Sequence, residues 1–130
     1  MWLSTNQGFL SIVANPAGPE WLLVRARRKG DIESLFPDAE VKRTPGRDYL
    51  YRASIERGAL AVVVARALLN IDYGNFKNSV HDDRLHEAYA DVWRVMSRLQ
   101  AVSPYGRDSP AARKREGVAV KSRKRGTSTA

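Results

Sequence analysis

The chain has 130 residues, of which 43% are apolar, and this is enough to form one domain with a hydrophobic core. It contains no cysteine, which excludes a disulfide framework, a thiolate nucleophile and a cysteine-based zinc site. The net charge is +8, and no apolar run approaches the ~18 residues that span a bilayer, so we expect a cytoplasmic protein without a membrane span.

The positive charge is unevenly distributed along the chain. Residues 1–100 carry a net charge of +2, whereas residues 101–130 carry +6 and few large apolar side chains. Such a segment cannot bury enough surface to offset the entropy lost on ordering it. We therefore predict a compact domain over 1–100 and a flexible basic tail over 101–130. The clustered basic residues of this tail are Arg113, Lys114, Arg115, Lys121, Arg123, Lys124 and Arg125.

The first third of the chain predicts two strands and a short helix. Apolar runs at 9–13 and 21–27, separated by a segment rich in proline and glycine, are typical of an antiparallel pair. Residues 30–37 predict a helix of one or two turns, with Asp31 as its cap or in its first turn. Ile32, Leu35 and Phe36 form the apolar patch of that helix.

The middle of the chain predicts a hairpin. Residues 40–44 and 48–55 form its two arms, and Pro45-Gly46 fits the central positions of a type II turn. Strict alternation over the second arm would place Tyr49, Tyr51, Ala53 and Ile55 on one face of the sheet.

Two helices are predicted to follow the hairpin. Residues 57–70 have apolar side chains at helical spacing, and residues 82–100 have a longer apolar stripe on a charged background. The first stripe contains Leu60, Val64, Ala67, Leu68 and Ile71, and the second contains Leu85, Tyr89, Val92, Trp93, Met96 and Leu99. The element order β-β-α-β-β-α-α predicts an α+β fold, in which two main helices cover one face of a small antiparallel sheet of about four strands.

Arginines on or beside the predicted strands form one candidate binding surface. They are Arg25, Arg27, Arg43, Arg47 and Arg52, and they alternate in sequence with Trp21, Tyr49 and Tyr51. A sheet face with basic and aromatic side chains can hold single-stranded nucleic acid. The alternative is a solvated face whose arginines pair with nearby acids, and alternation directs Arg52 away from both tyrosines.

A second candidate lies between the two helices, at Tyr73, Asn75, Phe76 and Lys77. Aromatic and polar side chains on a loop can form a contact site for a protein partner. The alternative is a simple interhelical turn whose aromatic residues close the core.

Histidines and acids cluster at the start of the second helix, at His81, Asp82, Asp83 and His86. Such residues could bind a divalent metal, but the two histidines are five positions apart and diverge on a helix. The favoured interpretation is an ordinary helix N-terminus with acids near the positive end of the dipole. We predict no metal site and no cofactor.

Several sequence strings resemble those of a group of small bacterial proteins that also occur on mobile elements. They are GFLSIV at 8–13, LVRAR at 23–27, TPGRDYLYR at 44–52, IDYGNFK at 71–77 and VWRVM at 92–96. The resemblance covers most of 1–100 and stops before the tail. It implies a compact domain of bacterial or phage origin and transfers no catalytic role.

These observations favour a non-enzymatic protein that associates with nucleic acid, because clustered cations on a mobile arm bind polyanions without reading sequence. One alternative is an inhibitor or adaptor, encoded by a mobile element, that docks on a host complex, which could present an acidic protein surface. Another is a small metal-dependent enzyme that processes nucleic acid through Asp82, Asp83 and His86.

Overall fold

A computed structural model of the chain describes residues 1–101. Its centre is a five-stranded antiparallel sheet with the strand order β1-β2-β3-β5-β4. The strands are β1 (Trp2–Ser4), β2 (Phe9–Ala14), β3 (Trp21–Ala26), β4 (Lys42–Arg43) and β5 (Tyr51–Glu56). The predicted basic tail lies outside the described residues, apart from Ala101.

The predicted α+β class is confirmed, but the element order needs two corrections. A fifth strand, β1, precedes the predicted ones and pairs with β2. The helix expected over 30–37 is instead a series of turns, although Ile32 and Phe36 occupy the core as that pattern required. Asp31 does not cap these turns, because its carboxylate accepts hydrogen bonds from Arg28 and from the Phe9 N–H.

The hairpin turn at Pro45-Gly46 forms as expected. The Thr44 carbonyl accepts a hydrogen bond from the Arg47 N–H, and Gly46 has a φ of 81°, which a type II turn requires at its third position. The expected alternation of the second arm is wrong at Tyr49, because β5 begins only at Tyr51. Residues 47–50 bend out of the strand, and this shifts Tyr49 to the opposite face.

Two α-helices follow the sheet, close to their predicted positions: α1 (Arg57–Leu69) and α2 (Asp83–Met96). Glu56 caps α1, since its carboxylate accepts hydrogen bonds from the N–H groups of Gly58 and Ala59. These bonds lower the pKa of Glu56. The chain divides into two compact units after Glu87, so the second unit begins within α2 at Ala88.

The apolar stripes of both helices are buried only in part. In α1, Leu60 lies in the core and Val64 packs against it, whereas Leu68 and Ile71 are exposed. In α2, Leu85 and Tyr89 are buried. The later members of that stripe, Val92, Trp93, Met96 and Leu99, are exposed. Among residues 1–101, no helix is long and apolar enough to cross a membrane.

The two faces of the sheet differ in chemistry. The core face carries Leu10, Ile12, Val24, Ala53 and Ile55, and Ile32, Phe36 and Leu60 join them to form the hydrophobic cluster. The alternate residues of the central strands form what we call the arginine face: Ser11, Val13, Leu23, Arg25, Arg52 and Ser54. The sheet therefore separates the core from a face that carries fixed positive charge.

Candidate functional site

A row of directly opposed residues crosses the arginine face from edge to edge. Trp2 pairs with Ser11, Ser11 with Arg25, Arg25 with Arg52, and Arg52 with Lys42. We call these five residues the cross-strand row. Adjacent strands lie about 4.8 Å apart, so the row is about 19 Å long. It has an aromatic side chain at one end and cations at its centre and other end.

Like charges directly opposite each other destabilise a sheet, so Arg25 and Arg52 need compensation. Tyr49 stabilises Arg25, because its ring is nearly buried and lies 4.6 Å from the Arg25 guanidinium and 4.4 Å from that of Arg27. Asp48 stabilises the other side, with its carboxylate 3.3 Å from Arg52 and its carbonyl oxygen 2.9 Å from Arg27. The cations are thus held by one aromatic ring and one carboxylate.

The cations become more accessible toward the β4 edge. The Nε of Arg25 is buried without a hydrogen-bond partner among the described residues, and its Nη2 donates to Ser11. A ligand can therefore approach Arg25 only through its terminal nitrogens. The Arg52 side chain is 17% exposed and that of Lys42 is 74% exposed.

A shallow depression of about 270 Å³ lies at this accessible end of the row. Arg52 and Lys42 line it together with Leu23, Ser54, Thr44, Ala53 and Glu40. The Ser54 hydroxyl accepts a hydrogen bond from Asn15, which leaves its own proton free to donate. The depression thus combines two cations with a hydroxyl donor, a set of groups that suits a phosphate oxygen.

Of the five arginines that the sequence proposed, the structure gathers three, Arg25, Arg27 and Arg52, around Tyr49. Arg43 pairs with Tyr51 and so lies on the core-facing side of β4, while Arg47 lies in the hairpin turn. Lys42 was not among the predicted residues, because its position opposite Arg52 depends on the pairing register of β4 with β5, which the sequence pattern does not contain. The basic residues from 113 to 125 lie outside the described part of the chain.

Tyr49 does not serve as an exposed stacking platform, since it is only 4% exposed and two guanidinium groups lie over its ring. Tyr51 is partly buried and packs against the core. Trp21 and Trp2 are both open to a ligand on this face: Trp21 is 42% exposed and shares its side of β3 with Leu23 and Arg25. Trp2 is 71% exposed and meets the Phe9 ring edge-on at 5.6 Å. Trp2 belongs to the strand that the sequence analysis did not predict.

Arg28 stands at the centre of an ion network in which Asp31 is buried and Asp82 is exposed. Asp31 is 4% exposed and accepts from Arg28 at 2.9 Å, and Arg28 also donates to Asp82 at 3.0 Å. The hydrogen bond and charge of Asp31, followed by those of Asp82, raise the pKa of Arg28. The Leu85 N–H, followed by Arg28, lowers the pKa of Asp82. Arg28 thereby ties the turns after β3 to the start of α2.

Several residues of the loop 73–77 contact neighbouring parts of the chain. The rings of Tyr73 and Phe76 are 5.9 Å apart, and both are half-buried. The Asn75 carboxamide accepts from the Asn78 N–H, and the Lys77 carbonyl oxygen lies 2.8 Å from Nδ1 of His86. Tyr73 also lines a groove of about 360 Å³ between the β1–β2 turn and the end of α1.

The acidic and histidine cluster does not converge on a metal position. Within residues 1–101, no group of three histidine or acidic side chains is arranged to hold a metal ion. Asp82 acts instead as the cap of α2, since its carboxylate accepts from the Leu85 N–H at 2.8 Å. His86 contacts the Lys77 carbonyl oxygen. Of the side chains proposed for metal-dependent chemistry, Asp82 and His86 are thus engaged in structural contacts, while Asp83 is exposed in the first turn of α2.

Comparison with known proteins adds no functional information. No protein-family model matches the chain, and no curated protein sequence and no solved structure is detectably similar to it. The geometry of the arginine face and of the groove beside Tyr73 therefore carries the functional argument.

Proposed function

We propose that this protein associates with single-stranded nucleic acid through the arginine face, without catalysis. The observation that carries the proposal is the cross-strand row, in which Trp2, Arg25, Arg52 and Lys42 share one face of the sheet. Bases stack on an exposed aromatic ring while phosphates meet cations beside it, which is how sequence-tolerant single-strand binders combine the two contacts. The two ends of the row lie about 19 Å apart, a distance that several nucleotides can span, and between them the ligand would pass over Ser11, which is buried.

The polarity of the row supports a specific arrangement of the ligand. Phosphate oxygens would contact Lys42 and Arg52 in the depression, where Ser54 offers a hydroxyl proton. A base would stack on Trp2 at the opposite edge. The basic residues of 101–130 would add affinity that depends on salt and not on sequence, because each neutralised phosphate releases condensed counterions.

The direct test measures binding of the full chain to a labelled single-stranded oligonucleotide by fluorescence anisotropy over a range of salt concentrations. Replacing Lys42 by Gln should reduce the slope of log K against log salt by about 0.7, the value for one phosphate of a single strand. Replacing Glu40 by Gln should instead raise affinity at low salt by about two- to fivefold, because this carboxylate lies 3.9 Å from Lys42. Opposite effects of the two substitutions would not arise from a loss of stability.

Arg66 provides the matched control, because α1 packs against the other face of the sheet and Arg66 is exposed there. Arg66→Gln removes one positive charge without touching the row. If it lowers the salt slope as much as Lys42→Gln does, the attraction comes from net charge alone and the arginine face is not the interface. Replacing Trp2 by Ala should weaken binding by about 1–3 kcal/mol, the usual contribution of one stacked base.

A second candidate function, docking on a host protein, is favoured by the groove beside Tyr73. The groove has a volume of about 360 Å³, within the usual range of binding pockets, and Leu3, Leu68 and Ile71 contribute apolar surface to it. Affinity purification from the native host, with and without nuclease, separates the candidates: a protein retained after nuclease treatment and lost with Tyr73→Ala supports docking. If Tyr73→Ala strongly lowers the melting temperature, the side chain has a structural role.

A further inference from the structure

Helix α1 is apolar on every side, yet only one of its residues is buried. Its sequence contains just two charged side chains, Arg57 and Arg66, and Leu60 alone is fully buried. Val62, Leu68 and Leu69 are 50%, 65% and 84% exposed. A helix that is hydrophobic all round is normally covered on all sides, because exposed apolar surface is unfavourable in water. The side of α1 remote from the sheet therefore has the composition of an interface.

The exposed residues form a regular stripe. Gly58, Val62, Ala65 and Leu69 follow one another at spacings of four, three and four positions, which places them along one line of the helix. All four are exposed, and the residues that pack on the core, Leu60, Val63 and Val64, lie on the other side. We call these four residues the α1 stripe.

We propose that the α1 stripe is the contact surface between two copies of this chain, paired antiparallel about a two-fold axis. With the axis between residues 63 and 64, Leu69 faces Gly58 of the second copy and Val62 faces Ala65. Each large side chain thus meets a small one, the condition for two helices to approach closely without voids. The stripe is complementary to itself in this orientation.

The charges fit the same register. Arg57 lies about 110° round the helix from the α1 stripe, so it stands at the margin of the contact, where the segment that follows α1 of the second copy, with the exposed Asp72, would pass. The Nε of Arg57 is held by the Pro19 carbonyl oxygen, which leaves its terminal nitrogens for such a contact. Arg66 faces Ala61 of the second copy, so no like charges are opposed. Antiparallel helices also align their dipoles favourably.

The expected dimer is a weak one. A helix of 13 residues is about 20 Å long, and one such pair buries less than the ~1,200 Å² of a standard stable interface. We therefore expect the equilibrium between monomer and dimer to fall in the micromolar range. Pairing would place two arginine faces on one particle and so increase avidity for a long polyanion, although the dimer itself does not depend on that function.

Sedimentation equilibrium of the full chain, at concentrations from about 1 to 500 µM, tests the proposal. A concentration-dependent dimer is expected, and Leu69→Lys should shift its dissociation constant upward at least tenfold, because the new ammonium group would lie beside Arg57 of the second copy. Leu99→Lys is the matched control, since Leu99 is 78% exposed and lies outside α1. Unchanged thermal unfolding of both variants shows that the fold is intact.

Cysteine pairs give an independent readout, because the natural chain contains none. When Val62→Cys and Ala65→Cys chains are mixed and oxidised, the mixed disulfide should exceed either self-linked product, since only the mixed pair is directly opposed. A chain that stays monomeric to 500 µM, or a dimer that Leu69→Lys leaves unchanged, would overturn the proposal. A preference for self-linked cysteines would exclude the antiparallel register.

Discussion

Tyr49 provides the most direct test of how the arginine face is held together. Its ring is 4% exposed and lies within 4.6 Å of two guanidinium groups, those of Arg25 and Arg27. A cation–π contact contributes about 0.5–1 kcal/mol when exposed and about 2 kcal/mol when desolvated. Arg27 is exposed and Arg25 is partly buried, so the two contacts together should contribute about 2–3 kcal/mol.

The substitution Tyr49→Leu removes both contacts and keeps an apolar side chain at the site. We expect it to lower the free energy of unfolding by about 3 kcal/mol, once the lost packing of the larger ring is included. Tyr49→Phe keeps the ring and should cost less than about 1 kcal/mol. Urea unfolding of the full chain at pH 7, followed by circular dichroism, measures both values.

A double-mutant cycle isolates the ring–cation contribution. Combining Tyr49→Leu with Arg27→Gln should reveal a coupling of about 0.5–1 kcal/mol, since the Arg27 hydrogen bond to the Asp48 carbonyl oxygen cancels in the cycle. If the coupling is zero, or if leucine is tolerated as well as phenylalanine, Tyr49 acts as an ordinary core residue. In that case the compensation of Arg25 and Arg52 must come from elsewhere.

Three further substitutions probe other parts of the fold. Replacing Asp31 by Asn should lower the free energy of unfolding in urea by about 2 kcal/mol, because the hydrogen bonds from Arg28 would then end on a neutral group. An unchanged free energy of unfolding would mean that the pair makes no net contribution to stability. The pKa of Asp82 is lower in the folded chain than in the unfolded chain, so the ionised carboxylate stabilises the fold. This stabilisation is complete above the pKa of the unfolded chain and is lost as the pH falls through the lower pKa of the folded chain. The difference in melting temperature between the natural chain and Asp82→Asn should therefore shrink below about pH 4, and a constant difference would contradict this. Gly46→Ala should lower the free energy of unfolding by about 1 kcal/mol, because Gly46 has a φ of 81°. Gly74→Ala is the unstrained control, since Gly74 has no positive φ and a Cβ there would meet no close neighbour.

The arrangement of charge on the sheet has a functional implication. Arg25 and Arg52 are direct neighbours, and Lys42 extends the row, although like charges in this position disfavour pairing. The buried ring of Tyr49 and the carboxylate of Asp48 compensate the arginines, and the Glu40 carboxylate lies 3.9 Å from Lys42. Such a departure from the rules of stable sheets is expected at functional sites, and it supports testing the arginine face first.

Local sequence signals predicted the elements that depend on neighbouring residues. The apolar runs gave β2 and β3, the Pro45-Gly46 pair gave its turn, and helical spacing gave α1 and α2 within a few residues. These features succeed because turn geometry and periodic burial are set over a few positions along the chain. The short strand β1 has too few residues for a pattern, and Met1 is held through backbone hydrogen bonds with Ile12.

The sequence by itself determined the α+β class, the part of the core that the central strands supply, and the concentration of basic residues toward the end of the chain. Only the tertiary structure decided which cations meet, because the pairing of β5 with β3 and with β4 places Arg52 between Arg25 and Lys42. The side of the sheet that Tyr49 occupies also depended on the tertiary structure, since an irregular segment before β5 breaks the alternation. Pairing register and departures from regular strands are set by contacts across the whole domain, and a local pattern does not contain them.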